Sequence, residues 1–537
     1  MKAMIDLKKL RILKKIKLIS IMKIKIFSII LLFVISTIGV AQEKSTQKNI
    51  LFIAVDDLKP LLNCYGATEM YTPNFDRLAE MGVIFKNAEV QQAVCGPSRA
   101  SIMTAMYPDH TKVWDLHTDF RESAPELLSM PEYLITQGYE TTATGKIYHQ
   151  GSTSDGHDAK SWSIPYVSPD YYDPKYGEPA FGAYQNPDTK NKYAALEKEA
   201  LEKGIKQIGK QRSYAFKKLR PSTESVDVSD EAYNAGLYTI QTLKNLEALQ
   251  KTGKPFFLAV GYQKPHLPFV APKKYWDLYK REDIKLAEFQ ELSEGTPDIA
   301  YHSFGELRVF TDIDNNLKIG DKMNEEKQRE LIHGYMACVS YIDTQLGKLL
   351  DAFEEKNLLE NTIIVLWGDH GYHLGDHTEW NKHSNFEQAT RIPLMFAGPG
   401  VSKNIKVENP VELVDVFPTL FELAGIKTPK VDGKSLVPLL DNDIKTTIDV
   451  DFAVSQYRRP KEKMGYSLRT NRYRYTEWFD DGYRSNKPYE EGVIIARELY
   501  DYETDPLETK NLVEEADYTN IVNELKSKLK KHLQKYN

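Results

Sequence analysis

Three largely apolar runs constrain what this chain can fold into more than any other feature of its sequence. They occupy residues 49–55, 255–260 and 362–367. Apolar runs without alternation are typical of strands that are buried on both faces of a parallel sheet. Helical patterns lie between them, most clearly at 328–355, and strands that alternate with helices indicate an α/β fold.

Two of these runs end in pairs of polar side chains. Asp56 and Asp57 follow the first run, and Asp369 and His370 follow the third. Because parallel sheets bind ligands at the carboxyl ends of their strands, we expect both pairs at one rim. Neighbouring carboxylates repel one another unless a cation bridges them, and oxygen ligands suit a hard divalent ion. Each pair alone could be a turn or a helix cap, but two pairs on one sheet favour a metal site.

A cysteine stands at the start of a predicted helix. The run Cys-Gly-Pro-Ser-Arg occupies 95–99 and precedes a helical pattern that continues to Met106. The backbone N–H groups and the dipole of a helix N-terminus favour an anion, so the position alone predicts a low pKa for the Cys95 thiol. Arg99 lies one turn further on and can reach back. The other cysteines, Cys64 and Cys338, are too few for a disulfide framework and are expected to be buried thiols.

The Cys-x-Pro-Ser-Arg motif at 95–99 resembles the signature of type I sulfatases. In that family the cysteine is converted to formylglycine, and the motif directs the conversion. The resemblance covers nearly the whole chain, from 49 to about 533, and segments 91–95, 260–266 and 379–382 resemble the iduronate-2-sulfatase branch most closely. It implies an α/β fold with an alkaline-phosphatase-like mixed sheet flanked by helices, and a smaller C-terminal α+β domain.

The resemblance also implies a role for each matching residue. The implied metal ligands are Asp56, Asp57, the modified Cys95, Asp369 and His370. The implied catalytic residues are Cys95, Arg99, Lys146, His149, His266 and Lys382. In these roles Arg99 stabilises the modified cysteine, and Lys146 and His149 lie beside it. His266 protonates the leaving oxygen, and Lys382 binds the sulfate. The ion is usually Ca²⁺ in this family; many members have Asn in place of His370, and imidazole is a softer ligand.

The charges of these residues suit the hydrolysis of a sulfate ester. Negative charge develops on the non-bridging and leaving oxygens as the S–O bond breaks, and cations placed against them lower the barrier. Histidine can transfer a proton near pH 7. Considered singly, His149 and His266 would more often be structural histidines, and we expect His373, His377 and His383 to be structural.

The first 41 residues read as a secretory signal peptide. A lysine-rich region precedes an apolar run at 26–40, which ends beside the small residue Ala41. The alternative is a membrane anchor, although the run is short for a span. Residues 1–41 hold nine of the 70 basic and one of the 76 acidic residues, so 61 basic and 75 acidic residues follow them. That acidic balance disfavours nucleic-acid binding. We expect a bacterial periplasmic or secreted protein with no membrane attachment after cleavage.

We expect two structural parts after this leader. Residues 48–440 would form the sulfatase catalytic domain, and 445–537 a C-terminal subdomain with a small antiparallel sheet and an amphipathic helix at 521–533. Residues 152–222 are rich in Tyr, Pro, Gly and Asp and contain a charged helical piece at 194–210. They predict a long excursion that either lines the site or covers the surface.

The expected substrate is a sulfated oligosaccharide or polysaccharide. The sugar is either a uronate 2-sulfate in a glycosaminoglycan or part of an algal polysaccharide such as ulvan, and fold does not choose between them. The resemblance also implies a formylglycine-generating maturase as a partner. One alternative is a phosphonate or phosphate monoester hydrolase of the same superfamily. The other is a catalytically inert carbohydrate-binding protein. A matching residue is present at every catalytic position of the family, which argues against this alternative.

Overall fold

The computed structural model of the protein describes residues 47–168, 172, 174–441, 451–480, 482–483, 490 and 493–536. The predicted leader at 1–41 lies outside the described residues, as does nearly all of the predicted boundary between 440 and 445. Both therefore stay predictions. Residues Lys48–Asn537 form one unit by their contacts.

A seven-stranded mixed sheet lies at the centre of this unit. The strands of the chain are β1 Asn49–Val55, β2 Gly82–Glu89, β3 Glu140–Gly145, β4 Thr223–Val226, β5 Phe256–Tyr262, β6 Phe269–Pro272, β7 Thr362–Gly368, β8 His373–Leu374, β9 Trp380–Asn381, β10 Arg391–Ala397, β11 Ile405–Glu412, β12 Ala453–Arg459, β13 Lys463–Arg469, β14 Tyr473–Phe479 and β15 Ile494–Asp501. The order in the large sheet is β11-β2-β10-β7-β1-β5-β3. Within it β10 runs against the other six, so six strands end at the same rim.

Helices cover both faces of this sheet. The longer ones are α1 Pro73–Met81, α2 Cys95–Thr104, α3 Met130–Thr136, α4 Pro187–Glu202, α5 Ile208–Lys218, α6 Asn234–Thr252, α7 Glu325–Glu355, α8 Val416–Leu423 and α9 Thr519–Tyr536. Single turns occur at Pro108–Thr111, Phe120–Ser123, Lys273–Trp276, Glu387–Thr390 and Val437–Leu440. Within the described part of the chain, no helix is both long and apolar enough to cross a membrane.

Strand β1 shows why the apolar runs lack alternation. Leu51 and Ile53 pack in the core that contains α7, whereas Ile50 and Phe52 pack in the core that contains α2. Since successive side chains of a strand point to opposite faces, a strand covered on both sides needs apolar residues throughout. The α/β fold predicted from these runs follows from this burial.

Two helical predictions differ from the structure in their limits. Helix α7 begins at Glu325, three residues before the predicted start, because the Asn324 side chain caps it by accepting from two backbone N–H groups. The single helical piece predicted at 194–210 is wrong. The chain instead forms α4 and α5, and the break contains Gly204, whose φ of 83° is left-handed and favours glycine.

A small antiparallel sheet follows the large one in the chain. Its order is β12-β13-β14-β15. Helix α9 packs against it through Leu525, Leu529 and Leu533, whose spacing of four residues places them on one face of the helix. The amphipathic helix predicted at 521–533 is therefore present and slightly longer than predicted.

We expect the substitution Leu529→Ala to destabilise the protein by about 2–5 kcal/mol, because it removes a fully buried side chain and leaves a cavity. Urea denaturation followed by circular dichroism measures the loss. The matched control is Ser527→Ala, at an exposed position of the same helix. Equal midpoints for the two variants would contradict the packing of α9 on the small sheet.

Candidate active site

The rim where the six strands end gathers every residue that the sequence predicted for the site. Asp56 and Asp57 follow β1, Asp369 and His370 follow β7, and Cys95 opens α2 after β2. Lys146 and His149 follow β3, His266 follows β5, and Lys382 follows the short strand β9. Strand ends are rigid platforms, so side chains that are far apart in sequence are held at fixed separations.

Three buried carboxylates form the centre of the site. The Asp56, Cys95, Asp369 and His370 side chains can each offer one ligand atom, and these atoms all lie within 4.8 Å of one another. Asp57 completes the cluster, with its Oδ1 at 3.3 Å from His370 Nε2. Its φ of 62° is unusual for a non-glycine residue and is held by a hydrogen bond of 3.0 Å from its own N–H to Asp369 Oδ1.

His370 is oriented as a ligand would be. Its Nδ1 donates to the Gly371 carbonyl at 3.0 Å, since a carbonyl can only accept. This leaves Nε2 to face the carboxylates and the Cys95 sulfur, which lies at 3.3 Å. Oxygen donors with one imidazole suit a hard or borderline divalent ion, so the residues fit the predicted metal.

Arg99 is fully buried and joins the carboxylates to the helix that carries Cys95. Its Nε donates to Asp369 Oδ2 at 2.8 Å, and its Nη2 donates to Asp56 Oδ1 at 3.1 Å. Its Nη1 donates to the carbonyls of Lys146 and Ile147. Only a planar guanidinium presents several donors in fixed directions, so lysine could not make the same set of contacts.

Two lysines supply further positive charge to the cluster. Lys146 Nζ lies at 2.6 Å from Asp56 Oδ2, and Lys382 Nζ lies at 3.0 Å from Asp57 Oδ1. Burial would raise the pKa of Asp56, but Lys146 and Arg99 outweigh it and hold that pKa well below its usual value. Three cations therefore face three carboxylates, and an added divalent ion would make the site attractive to an anion.

The two histidines that were predicted to be catalytic have pKa values shifted in opposite directions. Burial and the neighbouring Lys146 lower the pKa of His149 to about 3, so its imidazole is neutral at pH 7. Burial also disfavours a charged His266, but the carboxylates of Asp57 and Glu306 raise its pKa above the usual value. Environments that separate two pKa values in this way distinguish a proton acceptor from a proton donor.

The low thiol pKa predicted for Cys95 is wrong. The side chain is only 3% exposed, and this burial, together with the Asp56 carboxylate, raises the thiol pKa well above its usual value. The helix N-terminus and the lysines do not offset this cost. Burial and the neighbouring carboxylate therefore disfavour the thiolate of unmodified Cys95, which is the nucleophilic form.

Comparison with known proteins identifies the family. A sequence model described as Sulfatase matches residues 48–426. The chain belongs to the sulfatase family. It is therefore a sulfuric ester hydrolase, and a second model, N-sulphoglucosamine sulphohydrolase, C-terminal, matches residues 375–535 of this sulfatase.

Curated relatives of this sulfatase match it over most of its length. The iduronate 2-sulfatase of Mus musculus is 34% identical over 544 residues, which cover 89% of this chain and 93% of the relative. The iduronate 2-sulfatase of Homo sapiens is 33% identical over 556 residues, covering 89% and 94%. A sulfatase of Formosa agariphila is 31% identical over 503 residues, covering 91% and 88%. The predicted resemblance to this family is confirmed.

Solved structures share the fold of this sulfatase. One, in complex with its substrate D-glucosamine-2-N,6-O-disulfate, has a TM-score of 0.67 at 22% identity and covers 91% of this chain and 98% of its own. The phosphonate monoester hydrolase of Agrobacterium radiobacter has a TM-score of 0.64 at 20% identity, covering 90% and 95%. The predicted fold class, an alkaline-phosphatase-like mixed sheet with a smaller C-terminal sheet, is confirmed.

Sequence reasoning missed one residue of the sulfatase's site. Glu306 Oε2 lies at 2.8 Å from Lys382 Nζ, and Glu306 Oε1 lies at 2.8 Å from His266 Nε2. Its loop is fixed by β9, since the Leu307 N–H donates to Asn381 Oδ1 at 3.2 Å. No regular strand or helix contains Glu306, so no periodicity marked it. Its one signal was an acidic side chain in an otherwise uncharged stretch, 299–306.

The three histidines that the sequence analysis expected to be structural divide into two groups. His373 Nε2 lies at 2.9 Å from Ser384 Oγ, and His377 Nδ1 lies at 3.1 Å from Ser293 Oγ; both are buried, as structural histidines would be. His383 instead lies on the wall of a cavity beside Lys382.

Two cavities flank the residues that were predicted to be catalytic. Cavity A has a volume of about 450 Å³ and is lined by residues that include Lys146, His149, His157, Tyr166, Tyr238 and His266. Cavity B has a volume of about 740 Å³ and is lined by residues that include Glu306, His383, Tyr457, Arg458, Lys461 and Tyr483. The long excursion at 152–222 contributes to the wall of cavity A, so part of it lines the site.

We expect Asp57→Asn and Asp369→Asn to lower the divalent metal content from about one ion per chain to a small fraction of that, because each removes a charged ligand. Mass spectrometry of metals in dialysed protein measures the content. The control is Asp432→Asn, which changes a carboxylate paired with His110 at 2.7 Å. Full metal content in both site variants would overturn the assignment of the carboxylate cluster.

Proposed function

We propose that this sulfatase hydrolyses sulfate esters of a sulfated carbohydrate after Cys95 has been oxidised to formylglycine. The observation that carries the proposal is the position of Cys95. Its sulfur lies at 3.3 Å from His370 Nε2, at the centre of a cluster with three carboxylates and three cations, while its own thiolate is disfavoured. We infer that this residue acts after its side chain has been converted to an oxygen nucleophile.

The modification needs an oxidant and a partner. We propose a maturase that uses dioxygen and a thiol reductant. The Cβ–S bond is replaced by a C=O bond, the sulfur leaves as hydrogen sulfide, and the second oxygen atom leaves as water. Hydrated formylglycine supplies an oxygen nucleophile for sulfur and a second hydroxyl whose deprotonation releases sulfate, which neither cysteine nor serine can do.

The residues around position 95 serve this chemistry through charge and proton transfer. Arg99, Lys146 and Lys382 face the developing negative charge on the sulfate oxygens. His266 Nδ1 donates to the Leu267 carbonyl at 2.7 Å, so its Nε2 is the atom that gives a proton to the leaving oxygen. His149 is neutral, and among the described residues no group pairs with its buried Nδ1, so it can accept a proton.

We propose that the divalent ion is Ca²⁺. Asp56, Asp57, Asp369 and His370 would hold it together with the modified residue 95, and it would offset the carboxylates and polarise the sulfate. The net reaction converts ester and water to alcohol, sulfate and one proton.

The proposed sugar is a uronate 2-sulfate within a glycosaminoglycan, or a sulfated unit of an algal polysaccharide such as ulvan. The similarity to the iduronate 2-sulfatases of mouse and human supports the first. A related structure holds D-glucosamine-2-N,6-O-disulfate, also a sulfated sugar. We further propose export to the bacterial periplasm or medium, which the signal-like sequence at 1–41 supports.

A second candidate is a phosphonate or phosphate monoester hydrolase. The shared fold with the phosphonate monoester hydrolase of Agrobacterium radiobacter favours it. Rates on an aryl sulfate and an aryl phosphate, measured with one preparation, separate the two functions. The filled catalytic positions give the inert carbohydrate-binding alternative no support.

We expect Cys95→Ala to lower sulfate release on the order of 10⁴-fold or more, because it removes the nucleophile. Ion chromatography measures the sulfate, and peptide mass spectrometry of the parent detects an aldehyde at position 95. The control is Cys64→Ala, which changes a half-buried thiol in the short helical turn Asn63–Tyr65. We expect this variant to keep the rate of the parent. Appreciable turnover by Cys95→Ala would refute the nucleophile assignment.

The substrate is tested with two sulfated sugars in parallel. One is an unsaturated heparin disaccharide sulfated at position 2 of the uronate, and the other is an ulvan oligosaccharide. We expect sulfate release from the first, because the iduronate 2-sulfatases resemble the chain over 89% of its length. Release from the ulvan oligosaccharide alone would assign the enzyme to algal polysaccharides instead.

A further inference from the structure

Cavity B adjoins the catalytic centre and is large enough for a sugar ring. Glu306 and His383 line it, and Glu306 Oε2 lies at 2.8 Å from the sulfate-binding candidate Lys382. Its volume of about 740 Å³ is within the range of small-molecule sites. The sugar next to the one that loses its sulfate could therefore occupy cavity B while the sulfated sugar stays at the catalytic centre.

One wall of cavity B is a hairpin of the small sheet. Strands β12 and β13 are joined through Lys461 and Glu462, whose φ values of 62° and 58° match a tight hairpin turn. Arg459 fixes this hairpin to the catalytic side. It donates from Nε to the Ile299 carbonyl at 2.7 Å and from Nη1 to the His383 carbonyl at 2.8 Å. The wall is therefore held in place before a ligand arrives.

Arg458, next to it, is not engaged in this way. The one hydrogen bond of its side chain among the described residues is a long contact of 3.5 Å from Nη1 to the Tyr483 hydroxyl. Within the same part of the chain it has no carboxylate within ion-pair distance. A guanidinium without a counter-ion on a cavity wall can bind a sulfate or carboxylate through two parallel hydrogen bonds. Lys461, exposed on the same turn, adds a second positive charge.

Among the residues that the structure describes, cavity A offers no comparable anion site. Lys146 is paired with Asp56 at 2.6 Å. Lys264 donates to the carbonyls of His266 and Pro268, at 2.6 and 2.8 Å. The other residues that line it are mainly aromatic or uncharged. An anionic group beyond the scissile sulfate would therefore find its counter-charge in cavity B.

We propose that cavity B binds the sugar next to the one that loses its sulfate, and that Arg458 binds a sulfate or carboxylate on that neighbouring sugar. Tyr457, whose ring lies on the same wall, provides an apolar surface for the sugar ring. The assignment rests on the proposed action on a sulfated carbohydrate. It makes Arg458 a specificity-determining residue that contacts substrate away from the reacting atoms.

The test compares two disaccharides that carry the same uronate 2-sulfate, with and without a sulfate on the neighbouring amino sugar. The measured quantity is the ratio of kcat/KM for the first over the second. In Arg458→Gln we expect this ratio to fall about tenfold, because a charge-assisted pair is lost. Arg458→Lys keeps the charge but loses the paired geometry, so its ratio should lie between those of Gln and the parent.

The control is Arg212→Gln, an exposed arginine on α5 that lines neither cavity, and its ratio should equal that of the parent. An unchanged ratio in Arg458→Gln, with the parent active on both sugars, overturns the subsite while the proposed function stands. Equal losses on both sugars also overturn it. If the parent, with formylglycine present, releases sulfate from neither disaccharide, the proposed uronate substrate and this subsite both fail.

Discussion

The buried guanidinium of Arg99 is the contact on which the rest of the site depends. It joins a carboxylate after β1 to a carboxylate after β7 and to backbone carbonyls after β3. These three strand ends and the first turn of α2 are thereby fixed to one another. Removing one partner of a buried charge pair leaves an uncompensated charge and costs about 3–5 kcal/mol. The position of residue 95 relative to its cluster is thus a consequence of charge compensation within the rim.

How much of the fold and of the candidate site could be predicted from the sequence depends on whether a feature is determined by neighbouring residues or by distant ones. Strands β1 and β7 are buried on both faces, so their apolar runs were visible, and the polar pairs that end them had to share a rim. The pKa of Cys95 depends instead on burial by distant segments, and the local helix rule gave the wrong direction. Glu306 belongs to a loop whose place is set by Asn381, a contact between residues 74 positions apart, and no short pattern encodes it.

The groups that are proposed to react and the walls that are proposed to select the sugar lie on different parts of the structure. The reacting groups lie on strand ends of the large sheet, where burial and paired charges hold them. Under the proposed function, the walls that meet the rest of the substrate come from the long excursion on one side and from the hairpin of the small sheet on the other. Loops and edge hairpins tolerate substitution better than a buried rim. Substitutions in these walls therefore leave the contacts among Asp56, Arg99 and Asp369 in place.

The burial of Cys95 has a consequence for the order of events in the cell. Every residue of α2 is buried, and the Cys95 side chain is covered once the helix docks on the rim. If Cys95 is oxidised as proposed, the maturase must hold this segment in its own active site, which requires the backbone around residue 95 to be free of the sheet. Oxidation therefore competes with folding for the same stretch of nascent chain. Under this proposal, the fraction of converted molecules depends on how quickly this segment folds during synthesis, because a chain that folds before conversion keeps its Cys95 thiol.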